Sequence, residues 1–248
     1  MNLCVNSLQK RGIVRYYVGD YKSGGLISRI YFRDTSQPPN LDWEKRLKAQ
    51  GYELIAGIDE AGRGALAGPV VAAAVILPRC GYLPWFKLVR DSKEISSKKR
   101  ETLFPLIRGE VTAVGVGIVS EKIIDATNIL KATQLAMKQA VEKLPGQPHF
   151  LIIDRLTLPH CSIPQEGITR GDKLCLSIAC ASIVAKVTRD HLMEQLDEIY
   201  PGYDFARHKG YGTRRHVSCL QRLGPSPIHR LSFAPVKTMI MNHSPSPI

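Results

Sequence analysis

Hydrophobic residues follow two different spacings along this chain, and the two spacings alternate. Short apolar runs bounded by turn residues are typical of buried strands, whereas apolar residues three and four positions apart are typical of helices that pack on a core. The strand-like runs are residues 53–60, 69–77, 111–119 and 149–154, and the helix-like segments are residues 41–50, 96–107, 121–144 and 173–200. This alternation predicts an α/β fold in which helices cover a central sheet.

The amphipathic segment at residues 121–144 is predicted to form one long helix. Its expected apolar face consists of Ile124, Leu130, Leu135, Met137 and Val141. Such a face is typical of packing against a sheet, so we assign no function to this helix.

The two ends of the chain differ in pattern from the middle. In residues 1–36, two strand-like stretches surround a glycine-containing turn, which predicts either a flexible extension or a small hairpin. Residues 36–40 contain two prolines and separate this extension from a predicted catalytic domain at residues 37–237. Residues 238–248 end in alternating serine and proline and are predicted to be a flexible tail.

The net charge favours a polyanionic partner. Lys and Arg outnumber Asp and Glu by 34 to 22 among 248 residues, which gives a charge of +12. Such an excess attracts nucleic acid through counterion release. Much of the charge is dispersed over predicted helix faces, as in any basic protein. Residues 207–237, however, contain no acid, and they are the predicted nucleic-acid surface, with Arg207, Lys209, Arg214, Arg215, Arg222, Arg230 and Lys237.

The cysteines lack the close paired spacing of zinc sites, and two of them fall inside a predicted apolar helix. They are predicted to be thiols: Cys4, Cys80, Cys161, Cys175, Cys180 and Cys219. The sequence shows neither an apolar stretch of membrane-spanning length nor an N-terminal targeting pattern. These features predict a cytoplasmic protein with no membrane partner.

Two adjacent carboxylates lie at the end of the first predicted strand of the domain. Asp59 and Glu60 follow apolar residues and precede Gly62-Arg63-Gly64. Buried acids are unfavourable unless a cation meets them, and hard cations such as Mg²⁺ prefer carboxylate oxygens. The glycines leave the backbone open to a sugar or phosphate near Arg63. On its own, the segment is also compatible with an ordinary strand-end turn.

Two further carboxylates occupy comparable positions. Asp154 ends the apolar run at residues 149–153, and Asp172 immediately precedes the long helix predicted at residues 173–200. Asp154 is also compatible with a turn, and Asp172 with a helix N-cap. Phosphodiester hydrolysis can use two divalent ions about 4 Å apart, and several carboxylates are needed to hold them. Asp190 is predicted to be structural because it lies far along the same helix.

Ordered motifs along the chain resemble the ribonuclease HII family, the type 2 ribonucleases H of bacteria. The resemblance extends from about residue 40 to about residue 237. The matching motifs are residues 59–64, residues 68–74, Asp91-Ser92-Lys93, residues 177–179 with 181–190, residues 208–213 and residues 224–230. Several motifs in a fixed order are far more specific than any one of them.

The resemblance implies a ribonuclease H fold, with a central mixed sheet flanked by helices and a helical C-terminal region beside the substrate. It implies an endoribonuclease that hydrolyses the RNA strand of RNA/DNA hybrids. It also implies incision on the 5′ side of ribonucleotides in duplex DNA, leaving a 3′-hydroxyl and a 5′-phosphate. The implied catalytic and metal-binding acids are Asp59, Glu60, Asp154 and Asp172, with two ions of Mn²⁺ or Mg²⁺. The protein is expected to act as a monomer.

Recognition of the substrate must depend on the 2′-hydroxyl, which distinguishes a ribonucleotide from a deoxyribonucleotide. The resemblance implies that the backbone of Gly62, Arg63 and Gly64 contacts this sugar and that the ring of Tyr211 stacks beside it. Without the resemblance, Tyr211 is equally compatible with a packed turn aromatic. Lys209 is the first candidate for a phosphate contact. Weaker candidates, each also compatible with a surface role, are Lys93, Ser182, Lys186 and Arg230.

The chain departs from the family pattern directly after Asp154, where Arg155 stands in place of a small residue. This arginine is expected to pair with a phosphate or with the acids themselves, which places metal affinity in question.

Two other functions remain open, a nucleic-acid-binding module without turnover and a DNA-directed nuclease. The clustered acids argue against a pure binding module because they repel phosphates. Residues 62–64 and Tyr211 argue against a DNA-directed enzyme.

Overall fold

The computed structural model describes residues 13–22, 25–34, 36–79 and 82–243. Near the N-terminus, strands β1 (Ile13–Lys22) and β2 (Gly25–Asp34) pair with each other in antiparallel register. They form a two-stranded sheet separate from the main one. Cys4, Cys80 and residues 244–248 of the predicted tail lie outside the described residues.

The main sheet has five strands and a mixed topology. They are β3 (Ile55–Ala61), β4 (Val70–Ile76), β5 (Ala113–Val119), β6 (Phe150–Asp154) and β7 (Gln165–Ile168). Their order across the sheet is β5-β4-β3-β6-β7. Strand β4 runs antiparallel to both neighbours, whereas β6 is parallel to β3 and β7. The predicted mixed α/β fold is therefore confirmed, with β7 as a strand that the sequence pattern missed.

Helices cover both faces of this sheet. They are α1 (Asp42–Ala49), a 3₁₀ helix (Pro84–Leu88), α2 (Ser97–Glu110), α3 (Glu121–Ala126), α4 (Ile129–Glu142), α5 (Gly171–Leu174), α6 (Leu176–Ile199), α7 (Phe205–His208), α8 (Arg214–Leu223) and α9 (Val236–His243). Helix α6 packs with α2 on one face, and α4 packs on the other. Strand β4 is buried along its whole length because both of its faces are covered.

The single helix predicted at residues 121–144 is wrong, because α3 and α4 are separate. The chain is extended at Asn128, whose side chain accepts a hydrogen bond from the Lys131 N–H at 2.9 Å and so caps α4. Because α4 begins at Ile129, its buried face differs from the face predicted for a single helix. Leu130 and Leu135 are 44% and 36% exposed, and the helix instead buries small residues and one methionine: Ala132, Thr133, Ala136, Met137 and Ala140.

The helix predicted at residues 173–200 is also interrupted. Cys175 has extended backbone angles between α5 and α6, so it lies outside a helix, contrary to the prediction. Asn40 fills the interruption: its N–H donates to the Leu174 carbonyl, and its carbonyl accepts from the Leu176 N–H at 2.9 Å. Asp172 consequently lies in the first turn of α5 and is not an N-cap.

Residues 238–243 of the predicted flexible tail belong to a helix. Helix α9 continues to His243, and Met239 and Ile240 pack beside the buried residues Leu66 and Val236. Cys161, Cys175, Cys180 and Cys219 form no disulfide bonds. In the described part of the chain, no helix combines the length and the hydropathy that crossing a membrane requires.

Candidate active site

The pairing of β3 with β6 brings two of the predicted acids to the same part of the sheet. Ile58 and Ile153 are partners in parallel strands, and Asp59 and Asp154 directly follow them. Residues in the same register of parallel strands have side chains on the same face of the sheet. Asp59 and Asp154 are therefore neighbours despite their separation in the sequence.

A backbone hydrogen bond joins the third acid to this pair. The N–H of Gly171, the first residue of α5, donates to Asp154 Oδ1 at 2.8 Å. Asp172 follows immediately and is only 6% exposed. The end of β6 and the start of α5 are thus fixed to each other, which places Asp172 beside Asp154.

The electrostatics show that the four predicted acids act on one another. Burial raises the pKa of Asp59 well above its usual value, and the charges of Glu60, Asp154 and Asp172 raise it further. Burial also raises the pKa of Asp154 to about 6. The pKa of Asp172 is likewise raised to about 6, first by burial and then by the charge of Asp154. Like charges at a buried position disfavour ionisation, so the site favours a cationic partner.

Three cationic side chains lie 3.3 to 3.9 Å from carboxylate oxygens of these acids. Arg63 Nη1 is 3.3 Å from Glu60 Oε1, and Lys93 Nζ is 3.8 Å from Asp172 Oδ2. Arg155 Nε is 3.9 Å from Asp154 Oδ2. The pairing of Arg155 with an acid is one of the two alternatives that the sequence left open, and its side chain is 62% exposed.

The chemistry of the acids fits divalent metal ions, although a metal cage is not preformed. The Oε2 atom of Glu60 is buried without a hydrogen-bond partner, as expected for an oxygen that awaits a cation. Carboxylates are also the ligands that Mg²⁺ and Mn²⁺ prefer. Within the described residues, however, no three His, Cys, Asp or Glu side chains are arranged to hold an ion as they stand. The four-acid metal site therefore stays a prediction.

The predicted sugar-binding residues lie next to each other, directly beyond Glu60. Ala65 and Tyr211 form an isolated antiparallel bridge, and the Leu66 N–H donates to the Gly210 carbonyl at 2.8 Å. The segment that contains Tyr211 is therefore attached to the chain that leaves residues 62–64. Gly64 is exposed, and a Cβ atom added to it would meet nothing within 4 Å.

Two cations of α6 lie near the ring of Tyr211. Lys186 Nζ is 5.6 Å and Arg189 Cζ is 5.2 Å from the ring centroid. Lys186 also binds Asp190 at 2.6 Å, which supports the structural role predicted for that acid. Ser182, a weaker candidate in the sequence, is 3% exposed and shares a hydrogen bond with Ser92.

A chain of buried imidazoles fixes the backbone of Tyr211. The Ser226 N–H donates to His229 Nδ1 at 2.9 Å, so that nitrogen carries no proton, and His229 Nε2–H donates to His216 Nε2 at 3.0 Å. His216 Nδ1–H then donates to the Tyr211 carbonyl at 3.0 Å. Every ring nitrogen in this chain has a partner in the neutral state, and His229 Nδ1 has two, because the Ser226 hydroxyl also lies 2.8 Å from it.

The nucleic-acid surface predicted from residues 207–237 is smaller than expected. Arg230 is completely buried and is not a surface phosphate contact, and Arg215 is paired with Asp204. Lys209 Nζ binds Glu194 Oε1 at 2.5 Å, so its predicted phosphate contact requires exchange of that partner. Arg207, Arg214, Arg222 and Lys237 are exposed.

Two completely or largely buried polar residues carry no signal in the sequence. Arg189 is completely buried in α6, but its neighbours Lys186, Thr188, Asp190 and His191 are polar, so no apolar pattern indicates its burial. Glu44, in α1, is also buried, and it accepts hydrogen bonds from the N–H and the hydroxyl of Ser177. Its partners are remote in sequence, so no local pattern indicates them.

Comparison with known proteins agrees with this arrangement. The family model of Ribonuclease HII matches residues 56–236. The Ribonuclease HII of Dehalococcoides mccartyi (strain BAV1) is 57% identical over 202 residues, which cover 82% of this chain and 95% of that protein. The chain belongs to the ribonuclease HII family. Membership identifies it as a ribonuclease H type endoribonuclease, of a family that depends on divalent metals and acts on RNA/DNA hybrids.

Solved structures of ribonucleases H share the fold. The ribonuclease H2 of Pyrococcus horikoshii OT3 superposes with a TM-score of 0.63 at 23% identity, covering 76% of this chain and 98% of that one. Bst-RNase HIII, whose structure is a complex with Mn²⁺, superposes with a TM-score of 0.56 at 17% identity, covering 94% of this chain and 90% of that one. The mixed sheet and flanking helices are thus a ribonuclease H-like fold.

Proposed function

We propose that this ribonuclease HII family member cuts duplex DNA on the 5′ side of an embedded ribonucleotide, leaving a 3′-hydroxyl and a 5′-phosphate. The observation that carries this proposal is the attachment of Tyr211 to the loop of Gly62, Arg63 and Gly64, directly beyond Glu60. An exposed backbone beside an aromatic ring suits a single ribose, because amide groups can bond its 2′-hydroxyl while the ring covers its apolar face.

The acids have separate tasks in this proposal. Asp59 and Asp154, on adjacent strands, are the central ligands, and Glu60 and Asp172 complete the set. Bound divalent ions would supply an activated water and charge stabilisation at the leaving oxygen. Glu60 would hold a cation with its buried, unpartnered oxygen, and Asp172, which faces Lys93 in this structure, would hold one in place of that lysine. Either Mn²⁺ or Mg²⁺ suits carboxylate ligands, and the Mn²⁺ complex of Bst-RNase HIII favours including both metals in the test.

The remaining contacts concern the nucleic-acid backbone. We assign a phosphate contact to Lys209, which must leave Glu194 to make it. We further propose that residues 37–237 form the catalytic unit of a monomer and that residues 1–36 are an extension. The separation of β1 and β2 from the main sheet supports this division.

The test is a cleavage assay on duplex DNA with one ribonucleotide, beside an all-DNA duplex and an RNA/DNA hybrid, in Mg²⁺, Mn²⁺ and EDTA. We expect one incision in the first duplex, no cut in all-DNA, and no cut in EDTA. Extension of the product by a DNA polymerase would demonstrate the 3′-hydroxyl. Cleavage of the hybrid without incision at the single ribonucleotide would contradict the proposal.

Asp59→Asn should lower the cleavage rate by at least a hundredfold, because it removes a charged ligand from the shared site. Binding of the duplex should change little. Glu142→Gln is the matched control, since Glu142 is an exposed acid in α4 that pairs with Lys138. Equal rates for the two variants would show that Asp59 is not a catalytic ligand.

A further inference from the structure

Two buried arginines lie beneath the loop of residues 62–69, which we call the recognition loop. Arg189 belongs to α6 and Arg230 follows α8, and both are 0% exposed. All of their described hydrogen-bond acceptors are backbone carbonyl oxygens. A buried guanidinium without a carboxylate bonded to it is costly, so its position calls for an explanation.

Arg230 binds both ends of the recognition loop. Its Nη2 donates to the Gly62 carbonyl at 2.8 Å and to the Gly68 carbonyl at 2.9 Å, and its Nη1 donates to the Arg63 carbonyl at 2.9 Å. Its Nε also donates to the Gly68 carbonyl at 3.1 Å. The planar fork of donors therefore fixes the start of the loop relative to its end.

Arg189 joins the same loop to the segment that contains Tyr211. Its Nε donates to the Pro69 carbonyl at 2.9 Å and its Nη2 to the Ala67 carbonyl at 3.1 Å. Its Nη1 donates to the Lys209 carbonyl at 2.8 Å, two residues before Tyr211. One side chain thus sets the distance between the loop and the aromatic ring.

These bonds determine the direction of the loop's amides. In a trans peptide, the C=O and the following N–H point in opposite directions. Among the described peptide bonds, the cis bond found is Ala234-Pro235, so the peptides after Gly62 and Arg63 are trans. Because Arg230 holds the carbonyls of Gly62 and Arg63, the N–H groups of Arg63 and Gly64 point away from it.

The two glycines of the loop differ in what surrounds them. Gly62 has φ +96°, and a Cβ added there would lie 2.0 Å from Arg189 Nε. Gly62 is therefore required by the arginine beneath it as well as by its backbone angles. Gly64, by contrast, faces open space. The loop accordingly has one face held by arginine and one face free for a ligand.

We propose that Arg189 and Arg230 are positioning residues for ribose recognition: they hold the recognition loop so that the N–H groups of Arg63 and Gly64 face the 2′-hydroxyl beside Tyr211. This inference rests on the proposed function of the loop. The arginines touch no substrate themselves. They make the loop rigid before the substrate arrives, so the hydrogen bonds form without an ordering penalty.

The test uses Arg230→Lys and Arg189→Lys, which keep the charge and lose the fork. In an Asp59→Asn background, which prevents cleavage, dissociation constants are measured for a duplex with one ribonucleotide and for the same duplex in all-DNA form. We expect the dissociation constant of the all-DNA duplex, divided by that of the ribonucleotide-containing duplex, to fall about tenfold, as for the loss of one hydrogen bond. The dissociation constant of the all-DNA duplex itself should change by no more than about twofold. The control is Arg100→Lys, because Arg100 also binds backbone carbonyls, those of Ser92 and Ile95, away from the loop.

A purely structural role predicts a different result. Each lysine variant would then melt at a lower temperature with an unchanged ratio, or both affinities would fall equally, and either outcome overturns the proposal. If Arg230→Lys does not fold, the result for Arg189→Lys decides whether the positioning role holds.

Gly64→Ala separates this inference from the proposed function, because a Cβ atom at this position has room and the variant should fold. An unchanged ratio in Gly64→Ala contradicts the loop's role, whereas a lowered ratio there and normal ratios in the lysine variants contradict the positioning role alone.

Discussion

At the scale of single residues, burial disfavours the ionised forms of Asp59, Asp154 and Asp172. Burial raises the pKa of Asp154 to about 6, despite the hydrogen bond from the Gly171 N–H and the nearby Arg155. A carboxylate with a raised pKa destabilises the folded protein at neutral pH, since the unfolded chain ionises more easily. A cation bound beside Asp154 would reduce this cost, because an opposite charge favours the ionised carboxylate.

Asp154→Asn should therefore stabilise the metal-free protein while abolishing cleavage. The amide keeps an acceptor for the Gly171 N–H and removes the buried charge. We expect a gain of roughly 2 kcal/mol in the free energy of unfolding at pH 8. Urea denaturation in EDTA measures it, with Asp42→Asn in α1 as an exposed control. A less stable variant would show that Asp154 has a structural role.

The sequence predicts the acids of the candidate site but not the buried arginines near them. It groups Asp59, Glu60, Asp154 and Asp172, and in the structure the charges of the other three raise the pKa of Asp59. Arg189 and Arg230 escape such a reading because their partners are backbone carbonyls, which no residue pattern marks. The Pro69 carbonyl is 120 positions from Arg189, and the Gly62 carbonyl is 168 positions from Arg230.

At the scale of secondary-structure elements, the sequence predicts the helices but not the points at which they are interrupted. Periodicity predicts the segments that became α4 and α6, but not the breaks at Asn128 and Cys175. The first break had a local signal, an asparagine able to cap. The second depends on Asn40, which is remote in sequence and bonds both sides of the gap. Tertiary hydrogen bonds of this kind override local propensity.

Glu44 connects α1 to the start of α6. It accepts hydrogen bonds from the Ser177 N–H at 2.9 Å and from the Ser177 hydroxyl at 2.7 Å, so a side chain of α1 caps the start of α6. Glu44→Ala leaves both donors without a partner and should lower the free energy of unfolding by about 2 kcal/mol.

Glu44→Gln keeps an acceptor oxygen of the same reach and serves as the matched variant. We expect it to retain most of the stability in urea denaturation. Equal losses in the alanine and glutamine variants would mean that the packed volume of Glu44, and not its cap, stabilises this junction.

At the scale of the whole molecule, the C-terminal helices complete the site that the sheet begins. The hydrogen bonds from Ser226 through His229 and His216 to the Tyr211 carbonyl join α8 and the segment after it to the residue that lies beside the recognition loop. The resemblance predicted a helical C-terminal region beside the substrate. It did not predict buried histidines there, because an isolated histidine in a sequence carries no sign of burial.

This chain of histidines predicts a loss of stability in acid. Burial lowers the pKa of both His216 and His229 to about 4. The charge of His208 lowers both pKa values further, and the charge of His216 also lowers that of His229. The unfolded chain takes up these protons near pH 6.5, whereas the folded chain resists until about pH 4. The stability that depends on neutral His216 and His229 is therefore fully present above pH 6.5 and is lost as the pH decreases toward 4.

Asp59, Asp154 and Asp172 have raised pKa values and oppose this trend, so the measurement compares variants with the unmodified chain. Between pH 7.5 and 5, His229→Gln should lose about 2 kcal/mol less stability than the unmodified chain. His191→Gln, which removes a half-exposed imidazole beside Glu101, is the control and should match the unmodified chain. Identical pH slopes for all three proteins would show that the buried imidazoles do not resist protonation.

We propose that Asp59, Glu60, Asp154 and Asp172 together hold the divalent ions needed for cleavage beside a ribonucleotide. Anomalous diffraction from crystals grown with Mn²⁺ and a ribonucleotide-containing duplex tests this metal site. We expect two manganese peaks bonded to carboxylate oxygens of these four residues, with the ribose against residues 62–64 and Tyr211. Manganese bound elsewhere, or Glu60, Asp172 and Asp154 still paired with Arg63, Lys93 and Arg155 in the complex, would contradict it.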